Sequence, residues 1–427
     1  MLAFINYPSW LKPEIFSFLN IPDGSLFSFL NFLRWYGLMY VIGFIVSYFQ
    51  SIYILKKDDL QTLNKSIIEE YYFWAILGLI FGGRIFSCIV YNFNYYIRHP
   101  FEIIIPFHNG QFVGYAGMAF HGAAMGVFLV SILFTYKYIP YEINSEHFKH
   151  NILSKITNFN DKKILLNIYK ENKEKNVFYI DEKNKKKKIF NLKKTSSNRK
   201  NISRIFKSIK YKLNFRELCD LVFPIIPLGY TFGRIGNFIN SELWGRITAS
   251  PIGMLFKNAD KVPLNLESTQ KVINQLGWKI NETLFKVFNS SGKEIKDTLG
   301  YVSDQNGNLT NILGINLPRH PSQLYEAFFE GIVLFLIMWF PARKFKPFKG
   351  FMASAYLIFY SIFRFFIEFF REPDSQFSNI KQGKYIGFIL GKLSMGQILS
   401  VLMIIFGIGL GIYFYYLSKK DKLSELG

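Results

Sequence analysis

The chain has 427 residues, of which 50% are hydrophobic and 19% aromatic, and its formal net charge is +21. Few soluble globular proteins combine so large an apolar fraction with so much basic charge, so the two properties belong to different parts of the chain. The composition therefore argues against an ordinary soluble domain and favours a membrane protein with basic segments between apolar ones.

Seven apolar windows are long enough, at roughly 20 helical residues, to cross a hydrocarbon core about 30 Å thick. The first window lacks a short apolar core followed by a small-residue cleavage site, so we interpret it as a retained helix. The sequence predicts an all-α polytopic membrane protein with seven transmembrane helices. The predicted spans are 27–54, 71–97, 112–136, 217–239, 323–342, 350–370 and 394–417.

Basic loops predict the orientation, because short segments rich in Lys and Arg stay in the cytoplasm. The basic connections are alternate ones, at 56–65, 137–216, 342–349 and 419–422. Placing them inside predicts an N-out, C-in protein with an external head segment. The predicted parts are helices 1–3 in 1–136, a basic cytoplasmic insert in 137–216, helix 4 with a signature motif in 217–245, the head segment in 246–320, and helices 5–7 with a short cytoplasmic tail in 321–427.

The two long connections differ in composition. The insert is rich in Lys, Asn and Ile without a sustained amphipathic period, which predicts a partly disordered segment. Such a run can bind nucleic acid, but here it meets the anionic cytoplasmic leaflet, where each basic residue contributes about 1 kcal/mol. We therefore expect membrane lipids and no nucleic acid as its partner. The head segment mixes charges and carries turn signals and alternating stretches, which predict short strands.

Charged residues inside the predicted spans are the most informative, since one at the centre of a transmembrane helix costs about 2.5 to 3.5 kcal/mol. Arg34 lies near a span end, so a purely topological role stays open for it. Several arginines at outer-leaflet depth would attract an anion, and guanidinium groups match a phosphate geometrically, which indicates a phospholipid. The residues of this kind are Arg34, Arg84, His121, Arg234, Arg364 and Glu368.

The stretch GRIGNFINSELWGR (233–246) places polar residues directly after an apolar run. Arg234 and Asn237 are three apart and share a helix face, and Glu242 follows them. The glycines beside them allow close approach of a helix or a headgroup. Helix packing would explain the glycines, but the three polar residues together favour a binding site.

A second polar stripe lies in IFYSIFRFFIEFF (358–370), where Tyr360, Arg364 and Glu368 recur every four residues. The stripe either faces a polar cavity or contains an Arg364–Glu368 pair that neutralises itself. His121, among small residues in GMAFHGAAMG, is either functional or a packing residue. Both pairs of alternatives stay open at this point.

Other site types have no support in the sequence. No HExxH motif, Cys/His cluster or carboxylate cluster indicates a metal, and no Walker loop or GxGxxG indicates a nucleotide, so we expect no cofactor. Two other functions remain as alternatives. A small-anion transporter would need an inverted repeat or broken helices, which are not evident, and a scaffold would leave the intramembrane arginines unexplained.

These motifs resemble, in order, those of the bacterial prolipoprotein diacylglyceryl transferases. The resemblance implies a multi-pass enzyme of the bacterial inner membrane that moves the diacylglyceryl group of phosphatidylglycerol to the lipobox cysteine of prolipoprotein signal peptides, releasing glycerol phosphate. Ala123 departs from the family's usual His-Gly-Gly. The matching stretches are RWYGLMYVIGF (34–44), FGGRIF (81–86), GMAFHGAAMG (117–126), GRIGNFINSELWGR (233–246), RHPSQLYEA (319–327), FRFFIEFFREPD (363–374) and SMGQILS (394–400).

The resemblance, joined to the chemistry of the residues, implies roles at the site. We expect Arg234 with Asn237 to hold the lipid phosphate, and Arg364, oriented by Glu368, to form or hold the thiolate. His121 is the candidate general base, and the choice between it and an arginine stays open. The predicted catalytic residues are His121, Arg234 and Arg364, and the predicted substrate-binding residues are Tyr36, Arg84, Asn237, Glu242, Gly245, Tyr360 and Glu368.

Overall fold

A computed structural model provides the structure of the protein. It describes residues 4–20, 30, 33–58, 60, 62–91, 93–103, 107–108, 111–112, 119–137, 142–144, 178–180, 186–191, 213–296, 298–303, 309–372 and 393–426. Most of the insert predicted at 137–216, including its predicted disorder, lies outside these residues. The chain forms two compact units, a first unit of residues 1–53 with 219–427 and a second unit of residues 54–218.

Helices dominate the described residues. Short 3₁₀ turns occur at Ser17–Leu19 and Pro100–Ile103. The helices are α1 (Trp35–Lys57), α2 (Lys65–Tyr91), α3 (Phe93–Tyr96), α4 (Phe120–Lys137), α5 (Phe215–Val222), α6 (Ile226–Ile239), α7 (Glu267–Leu276), α8 (Ser322–Phe345), α9 (Phe351–Ile367) and α10 (Met395–Leu426).

Four helices of the described chain, α1, α2, α8 and α10, are long and apolar enough to cross a membrane. A fifth span results if α5 and α6, which are bent by 47° at a short break, cross together. The helices α4 and α9 are apolar but shorter. Each of the seven predicted windows overlaps one of these helices or the bent pair, so the structure supports a helical membrane protein with four or five candidate spans.

The helix α8 is irregular along its length. It is α-helical at Ser322–Glu326, Leu334–Ile337 and Arg343–Phe345, and π-helical at Ala327–Val333 and Met338–Ala342. Single π-helical turns are rare and recur at functional sites. The first wide turn begins directly after Glu326, one of the buried acidic residues of this helix.

The strands are short. In the first unit, β1 pairs in parallel with β7. A separate antiparallel sheet contains β8, β9 and β10, and β11 pairs with β12. In the second unit, β2 pairs with β3, and β6 lies between β4 and β5. The strands are β1 (Ile5–Asn6), β2 (Phe107–His108), β3 (Gln111–Phe112), β4 (Glu142–Asn144), β5 (Phe178–Ile180), β6 (Lys186–Asn191), β7 (Met254–Leu255), β8 (Lys279–Asn281), β9 (Lys286–Phe288), β10 (Glu294–Ile295), β11 (Leu299–Ser303) and β12 (Leu309–Ile315).

The head segment has an apolar core of its own. Trp278, Ile315 and Leu317 are buried at its centre, together with the buried face of α7. A smaller cluster around Phe256 includes Tyr7 from the start of the chain, whose hydroxyl donates a hydrogen bond to the backbone oxygen of Ile239 at 2.8 Å. Burial raises the pKa of Tyr7 to about 12, so the phenol stays protonated and donates this bond.

In the second unit, α2 and α4 pack through glycines. Gly78 and Gly82 on α2, and Gly122 and Gly126 on α4, are each four residues apart, the spacing that lets membrane helices approach closely. A Cβ atom on Gly126 would overlap the backbone oxygen of Gly78, and one on Gly122 would overlap that of Gly82. The contact is therefore made by backbone against backbone.

Two polar caps fix the starts of α9 and α10. The carboxylate of Asp220 accepts hydrogen bonds from the backbone N–H groups of Gly350 at 2.8 Å and Met352 at 3.1 Å, at the positive end of the helix dipole. At α10, Ser394 Oγ accepts from the N–H of Gln397, whose side-chain oxygen accepts from the N–H of Ser394, a capping box.

Candidate active site

One buried carboxylate, that of Glu326 on α8, gathers three arginines of the first unit. Its side chain is only 1% exposed. Its Oε2 lies 2.7 Å from Nε of Arg234 on α6, and its Oε1 lies 3.3 Å from Nη1 of Arg364 on α9. Arg371, just beyond α9, forms an ion pair with the same carboxylate. The guanidinium groups of α6, of α9 and of the residues just after α9 are therefore held around a single carboxylate of α8.

Glu368 is a second carboxylate of this group. Its Oε2 lies 3.0 Å from Nη2 of Arg364 and 3.6 Å from Nε of Arg371. Its Oε1 accepts a hydrogen bond of 3.1 Å from Ser394, the capping residue of α10. A Cβ atom on Gly396 would lie 2.6 Å from the same oxygen. The start of α10 therefore fixes this carboxylate, and it does so only because residue 396 has no side chain.

A phenol links Glu326 to a third carboxylate. Tyr230 on α6 places its hydroxyl 3.2 Å from Oε2 of Glu326 and within hydrogen-bond reach of Oε2 of Glu330. Glu330 is fully buried, and its ion pair is a long one, 3.9 Å from Oε1 to Nη1 of Arg364. The guanidinium carbon of Arg234 lies 4.8 Å from the centre of the Tyr230 ring, a cation–π contact.

We call this set the arginine cluster. Ion pairs link its three arginines and three glutamates, and a hydrogen bond to Glu330 adds Tyr230. The members are Arg234, Arg364, Arg371, Glu326, Glu330, Glu368 and Tyr230.

The residues of the motif GRIGNFINSELWGR (233–246) extend the polar network from Arg234 to Glu242. Arg234 donates to the side-chain oxygen of Asn237 at 3.3 Å, and the amide nitrogen of Asn237 donates to Oε1 of Glu242 at 2.8 Å. Ser241 and Leu243, on either side of Glu242, have φ of +54° and +57°. Such values are unfavourable for residues with a Cβ atom, so the loop is held in a strained conformation around Glu242.

Gly245 lies where three segments meet. Its N–H donates to the backbone oxygen of His320 at 2.8 Å, and the N–H of Arg246 donates to that of Phe370 at 2.9 Å. A Cβ atom on Gly245 would overlap the backbone oxygen of Phe370. Because Arg371 follows Phe370, this backbone contact also fixes one arginine of the cluster.

A buried arginine at the end of the head segment supports the same junction. Arg319 forms an ion pair with Glu372 and donates to the backbone oxygen of Asp260 at 2.8 Å. Burial lowers its pKa to about 10, which leaves it protonated at neutral pH. Burial also lowers the pKa of the neighbouring His320, so its imidazole is predominantly neutral at neutral pH.

The structure brings together six of the residues that the sequence predicted for the site: Arg234, Asn237, Glu242, Tyr360, Arg364 and Glu368. Tyr360 stacks on Tyr356 with ring centres 5.6 Å apart. Tyr36 on α1 packs against Gly236 of α6, where an added Cβ would lie 3.1 Å from its ring. The roles assigned to these residues stay predictions.

Two predicted residues belong to the second unit. Arg84 donates to the backbone oxygens of Glu102 at 2.8 Å and Ile103 at 3.2 Å. Its guanidinium also lies over the ring of Tyr96, at 5.2 Å. These contacts anchor a loop and give Arg84 a structural role beside the predicted one. His121 lies in the first turn of α4 with an exposed side chain.

Sequence analysis missed Tyr230, Glu326, Glu330 and Arg371 as members of the site. The signal for the two glutamates was present, since both lie in the predicted span 323–342, four residues apart, where a charge is costly. Arg371 follows the polar stripe by a single turn. Tyr230 gives no signal, because tyrosines are common in this chain.

The fold and this cluster define a helical membrane protein with an arginine-rich site among its helices. The model of the family described as prolipoprotein diacylglyceryl transferase matches residues 25–145 and 202–413. Proteins named phosphatidylglycerol-prolipoprotein diacylglyceryl transferase are similar over nearly the whole chain. They include those of Treponema denticola (34% identical over 99% of this chain and 98% of the relative), Treponema pallidum (32%, 95% and 93%) and Chlorobaculum tepidum (32%, 95% and 90%).

The chain belongs to the prolipoprotein diacylglyceryl transferase family, and the resemblance predicted from its motifs is confirmed. It is accordingly a transferase of lipoprotein biosynthesis. Residues 146–201, most of the basic insert, lie outside the family match.

Proposed function

We propose that this protein transfers the diacylglyceryl group of phosphatidylglycerol to the thiol of the lipobox cysteine in prolipoprotein signal peptides, releasing glycerol phosphate. Family membership and the names of its relatives support this reaction. The observation that carries it is the arginine cluster, in which three guanidinium groups converge on the buried Glu326. Guanidinium groups bind phosphate oxygens through paired hydrogen bonds, and a phosphate among membrane helices is a lipid headgroup.

Arg234, together with Asn237, holds the phosphate in this proposal. During transfer the bond from the glyceryl carbon to the phosphate oxygen breaks, and its electron pair stays on the leaving phosphate. The leaving monoester gains negative charge that the starting diester lacks. An arginine held in place by Glu326 and Tyr230 therefore binds the transition state more tightly than the substrate, which accelerates the reaction.

The thiol needs activation, because a free cysteine with a pKa of about 8.5 is mostly protonated at neutral pH. Arg364, oriented by Glu368 at 3.0 Å, helps to form or hold the thiolate. His121 is the candidate general base that takes the thiol proton. Its side chain is exposed at the first turn of α4.

The remaining predicted residues act on substrate binding. Glu242 keeps Asn237 in place, and Gly245 keeps the loop close to the end of α9. The aromatic rings border the cluster, and Arg84 orders its own loop. The residues assigned to this role are Tyr36, Arg84, Asn237, Glu242, Gly245, Tyr360 and Glu368.

The protein crosses the bacterial inner membrane seven times in this proposal, N-out and C-in. The head segment 246–320 faces outwards and the insert 137–216 faces the cytoplasm. Apolar helices at all seven predicted windows and the alternation of basic loops support this arrangement. It would place both substrates at the outer surface, where signal peptides emerge.

Mass spectrometry tests the reaction directly. Purified protein in detergent is incubated with phosphatidylglycerol and a synthetic lipobox peptide, and the cysteine is examined for a diacylglyceryl adduct. We expect an adduct with the wild type and a loss of about 100-fold or more in rate for Arg234→Lys, because an ammonium group cannot contact Glu326 and the phosphate as a guanidinium does.

Arg343→Lys is the matched control, since Arg343 lies on α8 outside the cluster and stacks on Trp339 at 4.4 Å. It should retain its activity. Absence of an adduct from folded wild-type protein would contradict the proposed reaction, and a fully active Arg234→Lys variant would remove Arg234 from it.

A further inference from the structure

The two buried glutamates of α8 have unequal surroundings. Glu326 contacts three guanidinium groups, whereas the nearest one to Glu330 is that of Arg364, at 3.9 Å. Among the described residues, no hydrogen-bond donor reaches Oε1 of Glu330. Its other oxygen contacts the Tyr230 hydroxyl. A fully buried carboxylate with so few partners is unfavourable, and such a group is neutralised most readily by holding a proton.

The phenol of Tyr230 leads to the same conclusion. Its hydroxyl lies within hydrogen-bond distance of both carboxyl groups. A phenol has one proton to donate, so it can donate to only one of them. The second contact is a hydrogen bond only if that carboxyl group is itself protonated and donates to the phenol oxygen. Glu326 is surrounded by arginines, which favour its ionised form, so the proton belongs on Glu330.

We propose that Glu330 holds a proton in the working enzyme and thereby sets the charge of the lipid-phosphate site, acting as a positioning residue through Tyr230 and Glu326. The inference rests on the proposed function of the arginine cluster. A neutral Glu330 donates to Tyr230, and Tyr230 donates to Glu326, so one proton chain orients the carboxylate that holds Arg234.

The charge of the cluster gives this proton its significance. The ion pairs join three arginines to three glutamates. With every carboxyl group ionised the cluster is neutral and has little attraction for an anion. With a proton on Glu330 its net charge is +1, which matches the single negative charge of a phosphodiester. Glu330 therefore makes the cluster selective for one anionic headgroup.

Every element packed against Glu330 contributes groups that bear on this proton. Tyr230 and Arg234 face it from α6, and Arg364 and the Tyr356 and Tyr360 rings face it from α9. On α8 itself its neighbour is Glu326. Loss of the proton at alkaline pH would add a negative charge close to the phosphate, and the lipid would then bind less tightly.

Glutamine substitutions distinguish the roles of Glu326 and Glu330. Glu330→Gln preserves a neutral group that can donate to Tyr230, so its kcat/KM should fall much less than that of Glu326→Gln. Glu326→Gln removes the carboxylate from three arginines and should lose about 100-fold or more. For the wild type, KM for phosphatidylglycerol should rise about tenfold from neutral to alkaline pH, whereas for Glu330→Gln it should stay constant.

Infrared spectroscopy of the resting enzyme provides a direct signature. The carbonyl band of protonated carboxylic acids should be present in the wild type, weaker in Glu330→Gln, and unchanged in Glu267→Gln, a change on the surface of the head segment. If Glu330→Gln is not recovered folded, Glu330→Met, which is also neutral, should show the same pH-independent KM.

Each result has a definite meaning. A Glu330→Gln variant as inactive as Glu326→Gln, a KM that rises with pH as in the wild type, or a missing carboxylic-acid band in the wild type would overturn the inference alone. A folded wild type that forms no adduct with phosphatidylglycerol would overturn the proposed function instead.

Discussion

The α2–α4 pair and the arginine cluster are both places where helices of this protein come close together, and they differ in the groups that lie at the contact. Between α2 and α4 the contact is made by glycines, with backbone against backbone. Between α6, α8 and α9, long charged side chains join through Glu326, in addition to a close packing contact of Gly331 on α8 with Thr231 on α6. The first contact is apolar and depends on shape, whereas the second depends on charge.

This difference indicates which of the two helix contacts is able to bind a substrate. Glycine contacts bring helices together through van der Waals packing and leave no group able to bind an anion. Buried charges make a weak contribution to stability, because desolvation offsets much of their attraction. The arginine cluster is therefore better explained by what it binds than by what it stabilises.

Gly126→Ala is expected to give the largest effect on the first contact. Its Cβ would overlap the backbone oxygen of Gly78, so the helices must separate. Overpacking of this kind costs about 1 to 3 kcal/mol, and the melting temperature in detergent should fall. Gly37→Ala on α1 is the matched control, since nothing lies within 4 Å of the added atom. Equal melting temperatures for both variants would contradict the close contact.

Gly396→Ala tests the second contact with the same small change. The new methyl group would meet the carboxylate of Glu368 at 2.6 Å and displace it from Arg364. We expect kcat/KM to fall about tenfold, equivalent to about 1.4 kcal/mol, with a smaller change in melting temperature than for Gly126→Ala. Gly409→Ala on the same helix has open space around it and should remain fully active. An unchanged rate for Gly396→Ala would show that the position of Glu368 does not matter.

Ala123→Gly should give the smallest effect. It creates the His-Gly-Gly sequence that the family resemblance leads us to expect at His121. Ala123 is partly buried next to Gly122, whose position makes the close contact with α2. We expect activity within about twofold of the wild type and a loss of stability of at most about 1 kcal/mol, from the lower helix propensity of glycine. A large gain in activity would mean that the methyl group narrows the lipid site.

Hydropathy was sufficient to locate the long apolar helices, because apolar windows reflect the length of a bilayer-spanning segment. Spacing of four residues also predicted that Tyr360, Arg364 and Glu368 share one face of α9. It could not show that this face meets Glu326, since contacts between helices depend on packing that no local pattern encodes. Glu326 was read only as part of the RHPSQLYEA motif and Glu330 was not singled out, although a pair of charges within a span is itself a strong signal.

The Arg364–Glu368 pair shows most clearly what spacing in the sequence could not predict. From the sequence, a self-neutralising pair and a functional stripe were both compatible with the spacing. The structure connects both residues to a wider network, through Glu326 and through Ser394 at the start of α10. The capping box that places Ser394 is local, but its hydrogen bond to Glu368 spans 26 residues.

The left-handed backbone at Ser241 and Leu243 has a consequence for engineering and evolution. Each such residue costs roughly 1 to 2 kcal/mol relative to an ordinary conformation, and glycine at either position would relieve that cost. A selection for thermostability alone would therefore favour glycine there, and the more flexible backbone of glycine would hold Glu242 less firmly against Asn237. Variants selected for higher thermal stability would tend to have a lower kcat, so the strained loop represents a trade-off between stability and turnover.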